Sequence, residues 1–199
     1  MGISNALHET LAENPILYIR GTSMVLRKIN AGVSLLTTVL LLFHAISISV
    51  WMLSRGAIEI AAGFMAWVLM GATVIHALIS IDLAMSAHEG VEKRKCKNYP
   101  KLNASTMVQR ISGVLMLVFT GLHVTGAMGL MQPPQAVHAV VPPVFFALAL
   151  THAAVSTSKA FITLGIGNAK FVKGVDIAIK VICGATLVAC VVGFYLHVY

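Results

Sequence analysis

Charge is what this sequence has least of. Only 11% of its 199 residues are Asp, Glu, Lys or Arg, while 58% are apolar and the mean hydropathy is +0.88. A water-soluble domain carries about 25% charged residues, so a soluble fold would present a largely apolar surface to water and is excluded. Acidic residues are scarcer still, 7 against 14 Lys and Arg, for a net charge of +7. Cysteine is limited to Cys96, Cys183 and Cys190, and no C-x-x-C occurs. That excludes a disulfide framework and covalent haem attachment of the c type. The first 24 residues lack an apolar h-region and a small-residue cleavage site, so no secretory signal is expected. "SNALHETLAENPILYI" there suits a short surface helix, docked on a partner or resting on headgroups.

What is present is a set of long apolar runs. Crossing a hydrocarbon core of about 30 Å takes roughly 20 apolar residues. Five runs qualify, at about Ile29–Leu53, Ile58–Met85, Met107–Met131, Ala136–Ser158 and Val175–Val198. The expected fold class is therefore all-α, an integral membrane bundle of five transmembrane helices, with residues 1–24 as a cytoplasmic N-terminal segment and 25–199 as the transmembrane domain. Between the runs lie "SRG", "HEGVEKRKCKNYPKLN", "QPPQ" and "GIGNAKFVKG", which carry the turn formers.

Basic residues set the expected orientation. Arg20, Arg27 and Lys28 precede the first span. Lys93, Arg94, Lys95, Lys97, Lys101 and Arg110 lie between or just inside the second and third, and Lys159, Lys170, Lys173 and Lys180 between or just inside the fourth and fifth. Only Arg55 falls on the other side. The positive-inside rule then puts the N-terminus in the cytoplasm and Tyr199 outside, in the inner (cytoplasmic) membrane of a cell. The net positive charge is a topology signal, with the lipid bilayer as partner and no nucleic acid.

Of 8 histidines, His8 and His88 lie in aqueous segments and His138 and His197 near the outer surface; His44, His76, His123 and His152 fall within the first four spans, one in each. Polar groups at membrane depth are costly and mark function. The first and third helices run outward, and His44 and His123 lie nine residues before Leu53 and eight before Met131, roughly 12 to 14 Å below the outer end. The second and fourth run inward, and His76 and His152 lie nine residues before Met85 and six before Ser158, roughly 9 to 14 Å above the inner end.

The result is two levels with two imidazoles each. A single histidine is readily accommodated by a hydrogen bond to a neighbouring carbonyl; four in matched pairs point to ligands. Two nitrogens at one depth suit a haem, whose porphyrin supplies the other four ligands. Zinc or di-iron would recruit acidic or thiolate side chains, but Glu59, Asp82 and Asp176 all lie near span ends. The expected cofactors are two haem b, an outer one on His44 and His123 and an inner one on His76 and His152. Small residues flank the ligands (Gly71, Ala72, Ala77, Gly121, Gly126, Ala153, Ala154) and would give a flat macrocycle clearance, although they also serve ordinary helix packing. Arg110, Arg27, Lys28 and Lys159 are candidate partners for haem propionates, or simple interfacial anchors.

"QRISGVLMLVFTGLH" (109–123), "VIHALISIDLAM" (74–85), "MQP" (131–133) and "LTHAAVSTSKAFITLG" (150–165) resemble the single-subunit, di-haem cytochrome b anchors of succinate:quinone oxidoreductases, both fumarate reductases and succinate dehydrogenases. The likeness spans about four of the five helices. It implies an electron wire between a membrane quinone, menaquinone first, and a cytoplasmic iron-sulfur subunit and flavoprotein that interconvert fumarate and succinate, with no dicarboxylate chemistry in this chain. In that family the first- and third-helix histidines hold the outer haem, the second- and fourth-helix ones the inner. Some relatives carry a glutamate, proposed to pass protons, where this chain has Leu150, which puts such a path in doubt. Glu59, at the outer start of the second helix, is the candidate acceptor for protons released by quinol, or an interfacial partner of Arg55; Arg110 and Ser112 could line a quinone pocket near the inner haem.

Two rival readings remain. One is the cytochrome b subunit of a hydrogenase or formate dehydrogenase, coupled to periplasmic enzymes. The other is a haem-free anchor or small transporter that uses its histidines for protons.

Overall fold

The computed structural model describes residues 15–57, 62–92, 104–130 and 135–198. Among these, all regular structure is α-helical: α1 (Pro15–Leu53), α2 (Ala62–Glu92), α3 (Ala104–Ala127), α4 (Gln135–Leu164) and α5 (Ala169–Val198). Each contains an apolar stretch, the shortest being the 23 residues Gly63–Met85 and Ala104–Gly126. At about 1.5 Å per residue even these exceed a hydrocarbon core of about 30 Å. The chain is a multi-pass membrane protein.

The helix ends depart from the hydropathy reading for local reasons. The first helix starts at Pro15, a residue suited to a first turn, and so takes in part of the segment expected to stand apart. The fourth continues past Ser158 to Leu164 because the Lys159 ammonium does not face lipid: its Nζ donates to Gln109 Oε1 at 2.8 Å and Thr106 Oγ1 at 3.4 Å on α3. The fifth starts at Ala169, ahead of Val175, where Asn168 Oδ1 accepts the Phe171 N–H at 2.9 Å as an N-cap.

The third helix stops short of Met131. Gly129 takes a left-handed φ of 69°, its N–H bonds Gly126 O, and the Leu130 N–H bonds Thr125 O. This is a Schellman closure. The first helix closes in the same way with Arg55 (φ 52°) in the position that favours glycine; the Arg55 and Gly56 N–H groups bond Met52 O and Trp51 O.

Polar contacts show that the helices alternate in direction. Asn30 of α1 bonds Ser80 of α2 at 3.1 Å, and the Ser158 hydroxyl of α4 donates to Asp176 of α5 at 3.0 Å. With the Lys159–Gln109 tie, these bring the beginnings of α1, α3 and α5 to the same end as the finishes of α2 and α4. Arg27, Lys28, Arg110, Lys159, Lys170, Lys173 and Lys180 lie toward this basic end, and Arg55 at the far end. At the far end α4 contains Pro142 and Pro143. Pro143 has no N–H to offer Ala139 O, and the Tyr195 hydroxyl of α5 donates to that carbonyl at 3.3 Å instead. The group lies at the very start of the apolar stretch of α4, and the neighbouring helix supplies its donor.

Packing is uneven. α1 and α4 lie against each other and both lie against α5, whereas α2 packs along α1 and α3 along α4. The tight core is Leu150 and Ala153 of α4 with Ile179 and Cys183 of α5, backed by Leu41 and Leu42 of α1. In their most apolar stretches α2 and α3 are only 11% and 6% buried, against 28–33% for the other three. They are the walls of a cleft, and the cleft holds the histidines.

Candidate functional site

Each of the first four helices carries one intramembrane histidine, and the alternating directions bring them together two by two. Toward the far end, His44 of α1 and His123 of α3 line one cavity of about 460 Å³, a size within the roughly 300–1,000 Å³ typical of ligand sites. All five helices contribute to its lining: Leu41 and Ile48 from α1, Ala66, Trp67 and Met70 from α2, Met116 and Thr120 from α3, Phe145, Phe146 and Leu150 from α4, and Cys190 from α5. The walls are apolar, and the His123 ring stacks on Phe145 with centroids 4.8 Å apart and planes 23° from parallel. The far-end pair therefore borders a space that is already open.

Toward the basic end, the rings of His76 on α2 and His152 on α4 lie 6.4 Å apart between centroids, at 65° to each other. A ligating imidazole nitrogen sits about 2.0–2.1 Å from its metal, and the ring centroid about 1.1 Å behind it, so two imidazoles on opposite sides of one iron have centroids about 6.3 Å apart. The observed spacing fits one iron between them.

Hydrogen bonding separates the four rings. The Nδ1 of His152 lies 3.1 Å from Gln109 O and 3.1 Å from Ser112 Oγ. A carbonyl only accepts, so Nδ1 carries the proton and Nε2 keeps the lone pair, the tautomer usual for an iron ligand. The Nδ1 atoms of His44 and His76 are buried with no hydrogen-bond partner, although the His76 ring lies beside the Asn30 backbone. A buried polar atom left without a partner costs about 1–3 kcal/mol, and such groups call for an explanation. Ligation through Nε2 would hold these rings in place while leaving Nδ1 as it is. The described residues thus offer one pair of rings, His76 and His152, at a spacing a single metal ion could bridge, and a second pair, His44 and His123, on the wall of one cavity. No group of three or more His, Cys, Asp or Glu side chains suited to another metal occurs among the described residues.

The remaining candidates are dispersed. Arg27, Lys28 and Arg110 are exposed at the basic end and make no hydrogen bond or ion pair among the described residues. Lys159 is half-buried and engaged by Gln109 and Thr106. Ser112 is buried at 4% exposure against His152. Leu150, at 2% exposure, is among the most enclosed side chains. Glu59 and the "MQP" segment lie outside the described residues, as do Cys96 and most of the basic loop between α2 and α3.

Gln109 was not singled out by sequence reasoning, and neither was the ring contact of Phe145. Gln109 acts on His152 through its main-chain oxygen, which leaves no residue-type signature; only its position beside Ser112, one turn into α3, hinted at it. A larger, open hollow of about 610 Å³ lies by the α4–α5 turn, lined by Phe161, Gly165, Asn168 and Lys173 among others, and contains no histidine. Comparison with protein-family models, with curated proteins and with solved structures finds no match.

Proposed function

We propose that this chain is the membrane electron-transfer subunit of a quinone-dependent fumarate reductase or succinate dehydrogenase, holding two b-type haems, one on His44 and His123 and one on His76 and His152. The observation that supports the reading is that the His76 and His152 rings lie 6.4 Å apart toward one end of the bundle, while His44 and His123 line one cavity toward the other. When bound, the haems supply one-electron transfer between those depths.

The residues of the chain do the rest. His44 and His123 would hold one haem at the apolar cavity they line, while His76 and His152 would hold the second between α2 and α4. The open packing of α2 and α3 leaves room for a planar group without disturbing the α1–α4–α5 core. The basic end faces the cytoplasm in this reading. Arg27, Lys28 and Arg110, without ion pairs among the described residues, then offer cations to propionates or to a docked iron-sulfur subunit and flavoprotein. Glu59 would take up protons from quinol at the opposite side.

A pyridine haemochrome assay with a dithionite-reduced spectrum on the purified chain tests this directly. About two haem b per polypeptide is expected. Well-folded protein with almost no haem would return the four histidines to proton handling or packing.

A further inference from the structure

The four histidines are not held alike, and the difference lies in a single turn of α3. Three neighbouring groups meet the His152 ring there. Gln109 O and Ser112 Oγ each lie 3.1 Å from Nδ1, and the Ser112 hydroxyl donates to Gln109 O at 3.2 Å. These close into one consistent network: the Nδ1–H is shared between carbonyl and hydroxyl oxygen, and the hydroxyl proton passes to the same carbonyl. The third group is an absence. A Cβ on Gly113 would lie 3.1 Å from His152 Cε1 and 3.4 Å from Nδ1, so the ring sits against bare backbone. Ser112 is 4% exposed, so water does not compete for the bond. The Nδ1 of His44 has no hydrogen-bond partner among the described residues, and that of His76 has only the Asn30 backbone beside it, outside hydrogen-bond geometry.

We infer that Ser112 and Gly113 are positioning residues for the inner haem, which fix the tautomer and rotation of His152 and thereby tune that iron alone. The inference rests on the di-haem reading. Its physical basis is that an Nδ1–H held by two oxygens makes the opposite nitrogen a stronger donor and favours the ferric state. Gly113 adds a steric limit, because any side chain there must turn the ring or push α3 away from α4.

The test is Ser112→Ala, Ser112→Thr and Gly113→Ala in the full chain, each read by haem content, potentiometric titration and low-spin EPR of both haems. Ser112→Ala is expected to move one of the two midpoint potentials to a more positive value and to change one of the two EPR signals, and Ser112→Thr, which keeps the hydroxyl, to restore both. Gly113→Ala is expected to alter the same signal, or to lose that haem, with the other unchanged. Two haems with wild-type potentials and signals in both Ser112→Ala and Gly113→Ala would overturn the inference while leaving the di-haem reading intact. Equal changes at both haems would overturn it too, since the contacts reach only His152. A wild-type chain without haem would instead remove the reading on which the inference rests.

Discussion

Replacing His76 with Ala should change the sign of its effect on stability according to whether haem is bound. In the haem-free chain the imidazole is a liability, since its buried Nδ1 has only the Asn30 backbone beside it, outside hydrogen-bond geometry. Deleting it removes a penalty of about 1–3 kcal/mol and forfeits some packing of a half-buried ring, so the haem-free variant should be as stable as the wild type or about 1 kcal/mol more stable. In the loaded chain the same change removes one of two ligands for the inner site. A group that binds only the folded state contributes about 2.7 kcal/mol when present at 100 times its dissociation constant, and that contribution should vanish. The outer site should persist, because His76 does not border the cavity of His44 and His123. The assay is a thermal or denaturant scan in detergent on haem-free and haem-loaded protein, with haem counted by pyridine haemochrome. Haem should fall from about two per chain to about one. Retention of both haems with unchanged spectra would refute the ligand assignment, and equal destabilisation of both forms would refute the role given to the unpartnered nitrogen.

Ala66→Phe places a ring on the wall of the far-end cavity and should abolish the outer haem while sparing the inner, seen as one haem per chain and the loss of one of two EPR signals. Leu150→Ala should destabilise the chain by about 2–5 kcal/mol, as for any large-to-small change in a tight core, measured as a lowered denaturant midpoint; a shift under about 0.5 kcal/mol would contradict its place between α4 and α5. Arg55→Gly should stabilise the α1 terminus by up to about 1 kcal/mol by relieving a left-handed conformation in a residue with a Cβ, read as a raised melting temperature.

The five helices were legible because hydrocarbon imposes a crude rule of length and apolarity, and the sequence obeys it five times. The ends were less legible, because tertiary partners override local signals. Lys159 reads as a stop, yet α4 runs through it once Gln109 and Thr106 take its charge. The expected pairing of the four histidines needed only helical rise and alternating helix direction, both of which a sequence pattern carries. What lay beyond reach was anything carried by the backbone: the Gln109 carbonyl at His152, or the space a missing Cβ leaves at Gly113. A one-dimensional pattern records side-chain types, and these contacts depend on which turn of one helix lies beside which turn of another.

The paired prolines of α4 also bear on the order in which the protein is made. Ala139 O is left without its usual helical donor and receives one from Tyr195, 56 residues later. During synthesis α4 therefore enters the membrane with this group unanswered, at a cost of several kcal/mol if it faces lipid. Water and headgroups at that end of the span can serve it until α5 arrives. The last helix thus completes the fourth, supplying from the chain's final turns a donor that the prolines withhold.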